Sequence, residues 1–171
     1  MAGACDLIAT TDTGTGTSVT FSSIPQDYKH LEIQAVEQIS GTQSANYMGI
    51  RFNGVSSSSY CDDFYSVGGV TALSEAAVSR TFGRLGWTNY SAWRPMKRII
   101  YLPNYSETNV NKMCFGWWLW SDGGNASYGG AGFAGVQIET NDAITSVTLF
   151  PETAQAWIAN VTQFNLIGWG T

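Results

Sequence analysis

The sequence predicts an all-β protein, an antiparallel two-sheet sandwich or barrel with one short helix, occupying residues 1–171 as one domain. Three observations carry that reading. Short β-branched or aromatic runs alternate with turn residues about every ten positions, the spacing of strands in sandwiches and barrels. Apolar residues make up 44% of the 171 positions and charged residues only 12%, so a chain that buries roughly 70% of its extended surface has ample core and a weakly charged, Ser/Thr/Asn/Gly-rich exterior. A single stretch carries helical spacing.

In chain order, strands are expected near Asp6 to Thr11, Thr17 to Ser22, His30 to Ile39 and Tyr47 to Phe52. In the third, Leu31, Ile33 and Ala35 alternate with Glu32, Gln34 and Val36, giving one core face and one mixed face. Asn53-Gly54 is a hairpin signal, because both turn positions must take positive φ. "TALSEAAVSR", Thr71 to Arg80, places Leu73, Ala76, Ala77 and Arg80 at helical spacing behind a Thr or Ser cap and is expected to form two helical turns. Further strands follow near Thr81 to Thr88, Lys97 to Leu102, Lys112 to Trp120, Gly132 to Glu139, Ile144 to Phe150 and Val161 to Trp169. "SDGGNASYGGAGFAG", Ser121 to Gly135, reads as a glycine-rich loop.

The segment "CFGWWLWSDGG" concentrates the apolar surplus. A strand there points Phe115, Trp117 and Leu119 one way and Gly116, Trp118 and Trp120 the other. Trp118 and Trp120 on an open face would expose on the order of 400 Å², as much as the largest apolar patch of a typical monomer. Covering it is worth roughly 10 kcal/mol before ordering costs. The cover is a second sheet of the same subunit, a neighbouring subunit, or a sugar.

The net charge of −5 supplies no phosphate-tracking surface, which excludes a nucleic-acid binder driven by counterion release. Arg80, Arg84, Arg94, Lys97 and Arg98 nevertheless form a run of five bases without an acid. They are either scattered edge charges or a basic patch for an acidic neighbour. Cys5, Cys61 and Cys114 are sparse, odd in number and unpaired by spacing, so reduced thiols are expected. "MAGACDLIATT" holds neither a basic n-region nor an apolar run, which predicts cytosolic synthesis and no membrane span. The N-x-[ST] matches at Asn89, Asn104, Asn125 and Asn160 are then chance.

Catalytic constellations are sparse. His30, the single histidine, lies at a strand entrance and reads as structural; with scattered cysteines it offers no zinc spacing. A glycosidase needs two carboxylates across a cleft. Asp62 and Asp63 are adjacent on a strand and point to opposite faces, leaving Asp122 beside the tryptophans without a partner. No phosphate loop is present. An enzyme, a cofactor and a metal are therefore not expected.

Three strings carry a family resemblance: "LIATTDTGTGTSVTFSSIPQDYKHLEIQ" near the start, "IRFNGVSSSSYCDD" in the middle and "AITSVTLFPETAQAWIANVTQFNLIGWG" at the end. With their Thr/Ser-rich opening strand, "RFNG" turn and closing apolar-Gly phrase, they resemble virion structural proteins of tailed phages, frequent in marine and cyanobacterial phages. The three strings span most of the chain, but its middle and its Trp-rich segment carry no resemblance, and the terminal "LIGWGT" departs from the family's usual Tyr-Gly ending. It implies a jelly-roll-type sandwich on the virion, made in the host cytoplasm. The expected role is a capsid decoration or cement protein on the major capsid protein, as a homo-oligomer such as a trimer. The alternative is a tail-fibre or receptor-binding module recognising host surface glycan. Expected interface residues are Trp117, Trp118, Trp120, Arg94, Lys97 and Arg98. For the glycan alternative, Trp87, Trp120 and Tyr128 would stack on sugar rings.

Overall fold

The computed structural model describes residues 5–12, 15–40, 46–68, 71–88, 95–121 and 129–170, with only the backbone at 68, 71–74 and 121. Among these described residues twelve strands form two antiparallel sheets: β1 (Cys5–Asp12), β2 (Val19–Phe21), β3 (His30–Glu37), β4 (Tyr47–Phe52), β5 (Tyr60–Gly68), β6 (Thr71–Arg80), β7 (Gly83–Trp87), β8 (Met96–Pro103), β9 (Lys112–Ser121), β10 (Gly129–Ile138), β11 (Val147–Pro151) and β12 (Gln163–Trp169). The larger sheet runs β1-β12-β3-β8-β9-β10-β5-β6 and the smaller β2-β11-β4-β7. With β5, β6, β9 and β10 set aside, the remaining eight strands renumbered in chain order fall first-eighth-third-sixth in one sheet and second-seventh-fourth-fifth in the other. That is the alternation of a jelly roll. The four other strands widen one sheet.

The core follows period-2 alternation. Leu31, Ile33 and Ala35 of β3, Ile100 and Leu102 of β8, and Phe164 and Leu166 of β12 face Val19, Phe21, Met48, Ile50, Phe52, Val147 and Leu149 of the smaller sheet, all buried. A second cluster of Phe64, Met96, Trp118 and Ala134 lies under the widened half, flanked by Tyr47, Trp87 and Trp120. The expectation of a two-sheet all-β sandwich holds, with one correction. Thr71–Arg80 is strand β6, not a helix, paired along β5 from Gly68↔Thr71 to Tyr60↔Arg80 with one irregularity. The long edge of β5 supplies a ladder of hydrogen bonds, and this tertiary pairing overrides a weak local helical preference.

Two further readings change. Asn53 and Gly54 take φ of 51° and 69° as the turn signal requires, yet the strands they join, β4 and β5, lie in different sheets. The turn is a corner: Asn53 Oδ1 accepts from the backbone N–H of Thr145 and Ser146, and Tyr60 Oη accepts from the Phe52 N–H. The glycine run after Gly129 is strand β10 rather than loop. Its glycines make room for tryptophan: Gly132 pairs with Trp118 and Gly130 with Trp120. A Cβ on Gly132 would lie 2.0 Å from the Trp118 ring, and one on Gly130 2.3 Å from Trp120 Nε1. Among the described residues no helix is long and apolar enough to cross a membrane.

Candidate functional site

The two apolar faces of β9 have different fates. Trp118 is 1% exposed and its indole also overlies Gly86 of β7, while Trp120 packs partly buried against the same cluster. The Trp118/Trp120 face is therefore covered by the smaller sheet of the same subunit. The opposite face is open: Trp117 is 46% exposed and Leu119 63%.

Register extends that open face across four strands. Ile99 of β8, Trp117 of β9, Phe133 of β10 and Tyr65 of β5 stand side by side in one row. The next row holds Lys97, Leu119, Ala131 and Val67. Trp117 and Phe133 are 5.7 Å apart by ring centroid, and Phe115 stacks on Phe133 at 6.1 Å. On the β3/β12 side Trp117 borders a shallow groove of about 440 Å³, where Gln34, Gln163, Asn165 and Lys97 supply amide and ammonium groups.

Arg98 does not belong to a surface basic patch. Arg98 is 2% exposed and points between the sheets. Its Nε and Nη2 donate to Glu37 Oε1 at 3.0 and 2.7 Å, and Nη1 and Nη2 donate to the carbonyls of Leu85 and Trp87. The guanidinium also lies 5.3 Å from the Trp118 ring centroid. β7 is the edge strand of the smaller sheet, so Arg98 supplies donors to an edge that the larger sheet covers. Burial holds the Glu37 carboxyl above its ordinary range although Arg98 pulls it down.

Arg84 is buried too. Its backbone N–H and Nε donate to Asp62 at 3.2 Å, its Nη1 donates to Glu75 at 3.0 Å, and Arg80 Nε lies 3.3 Å from Asp62. Burial raises the Asp62 carboxyl and these arginines draw it back. Of the expected interface residues that are described, only Trp117 and Lys97 stand exposed on the open face. Trp118 and Arg98 are corrected to core: Trp118 packs between Phe64 and Gly86, and Arg98 pairs with Glu37 and the Leu85 and Trp87 carbonyls. Two members of the glycan set are described. Trp87 is packed 5.2 Å from Tyr47 and Trp120 over Gly130, both on the inner side. Arg94, Asp122 and Tyr128 lie outside the described residues.

No family model matches the chain, and no curated protein does.

His30 occupies a structural position. His30 Nδ1 accepts from the Asn104 N–H at 3.2 Å, with its ring 5.5 Å from Tyr101. Asp62 is buried and Asp63 exposed on opposite faces of β5, so they do not form a carboxylate pair. Among the described residues no group of three or more His, Cys, Asp or Glu gathers to hold a metal. What the arrangement offers is contact. Sequence reasoning identified the strand, but it missed Tyr65 and Val67 because β5 was not recognised.

Proposed function

We propose that this chain is a structural, non-catalytic protein of a tailed-phage virion, a capsid decoration or cement protein that attaches to the major capsid protein as a homo-oligomer. It is made in the host cytoplasm and acts without a cofactor. The observation that carries the reading is the open apolar face of β8, β9, β10 and β5, with Trp117 and Leu119 at its centre, a surface that suits assembly and that a solitary subunit would leave wet. The three resembling strings and the jelly-roll strand order support the same assignment. Cryo-electron microscopy of the virion tests it. Many copies on the shell are expected, and a position at the tail alone refutes it.

The groove beside Trp117 favours a second reading, a receptor-binding module for host glycan. An exposed indole flanked by Gln34, Gln163 and Asn165 joins a stacking surface to amide hydrogen-bonding groups. Glycan-array binding by the purified chain, abolished by Trp117→Ala, would establish that reading in place of the first.

A further inference from the structure

We infer that the open face of the larger sheet pairs with the same face of a second copy, the two sheets crossing at about 90° around a two-fold axis. The inference deepens the homo-oligomer part of the proposed function and rests on that part alone.

The first support is area. Ile99, Trp117, Leu119, Phe133, Tyr65 and Val67 are between 40 and 63% exposed. At roughly 150 to 250 Å² for a full aromatic and somewhat less for an aliphatic residue, they leave on the order of 500 Å² of apolar surface on each copy. Two such faces remove about 1,000 Å² of apolar area. With the polar rim that accompanies it, the contact reaches about 1,600 Å², the size of a stable, specific interface.

The second support is charge. Lys97 and Asp63 are exposed, and no partner within the chain is described for either. They sit at diagonally opposite corners of the patch. Lys97 is on β8 in the Leu119 row; Asp63 is on β5 in the Phe115 row, level with Gly135. That separation is three strands across and four residues along, about 14 Å in each direction. A two-fold axis lying between two stacked copies, along the other diagonal, sets Lys97 of each copy over Asp63 of its mate. The same operation turns the strands of one sheet to about 90° from those of the other, one of the two preferred ways in which sheets pack face to face. It also lays Leu119 over Tyr65 and Val67 over its own counterpart, so apolar groups meet throughout. The interface is isologous and closed.

Sedimentation of the purified full chain from about 1 to 100 μM tests the inference. The expected species has twice the 18.5 kDa chain mass. Leu119→Glu and Trp117→Glu point outward and should leave circular dichroism intact, and the melting curve no lower than that of the dilute native monomer, while weakening the dimer by about a hundredfold or more. Lys97→Glu and Asp63→Lys, taken singly, each place like charges together and should weaken it about tenfold at low salt. The double variant Lys97→Glu/Asp63→Lys should restore it. A monomer throughout that range overturns the inference, as does a trimer, a dimer indifferent to Leu119→Glu, or single charge reversals without effect. Binding of Trp117 to neutral oligosaccharide or to major capsid protein by a chain that stays monomeric overturns it equally. A chain found on the virion yet monomeric defeats this inference alone; a dimer absent from virions defeats only the virion assignment.

Discussion

Replacing Arg98 by methionine should destabilise the protein in a strongly pH-dependent way. The methionine keeps a long apolar stem but removes both donors to Glu37, which is 1% exposed. Breaking a buried pair from one side costs about 3 to 5 kcal/mol because the remaining charge is uncompensated. In the native protein burial pushes the Glu37 carboxyl above its ordinary value of 4.5, and Arg98 opposes that rise. Without Arg98 only burial remains, and the folded-state value climbs further. The folded state then retains a proton that the unfolded chain has lost, so stability falls as pH rises from about 4.5 through the folded-state value. Below that window the carboxyl is neutral in both states. What remains is the loss of a donor to the Leu85 and Trp87 carbonyls, about 1 to 3 kcal/mol. Urea unfolding of the variant and the native protein, followed by tryptophan fluorescence, should give a difference of about 3 to 5 kcal/mol near pH 8 and a clearly smaller one near pH 4. Removing both partners, as Arg98→Met with Glu37→Leu, should recover much of the loss near pH 8. An equal penalty at both pH values, or a double variant as unstable as the single one, would refute the reasoning.

Other perturbations follow from the same packing. Gly132→Ala drives a methyl into the Trp118 ring and should cost about 1 to 3 kcal/mol, whereas Gly135→Ala, where a Cβ meets nothing within 4 Å, should leave the urea midpoint unchanged or raise it. Trp118→Ala should lose about 3 to 5 kcal/mol, and Trp117→Ala, on the open face, less than about 1 kcal/mol of monomer stability. In thiol labelling of the native protein Cys5, which is exposed, should react promptly. Cys114, buried and with its thiol pushed far upward by desolvation, should react only after unfolding.

Ten of the twelve described strands were legible because their inward residues are mostly apolar, as Leu31, Ile33 and Ala35 are in β3, with buried charges such as Glu37 and Lys112 near the strand ends. β5 was not legible because its inward row reads Tyr60, Asp62, Phe64, Ser66, and a charge at a core position breaks the alternation. Asp62 is accommodated there only by Arg84 and Arg80, which come from β7 and the end of β6. β6 then followed β5 into misreading, since its strand form depends on that neighbour. The glycine run of β10 was mistaken for loop although its spacing held the answer: glycines alternate at 130 and 132 as tryptophans do at 118 and 120, and the two sets pair.

By itself the sequence determined the all-β class, most of its strands, the positive-φ turn at Asn53-Gly54 and the two-faced apolar character of β9. These are properties of local spacing, which the period-2 geometry of a strand converts directly into faces. Only the tertiary structure decided which face of β9 lies inside, that Arg98 serves an edge strand rather than a surface patch, and that Tyr65 and Val67 join Trp117 in one exposed field. A strand pattern states that two faces differ without stating which one the second sheet covers. That choice is made by pairings between residues tens of positions apart, where the cost of burying a charge is settled by the partner it finds.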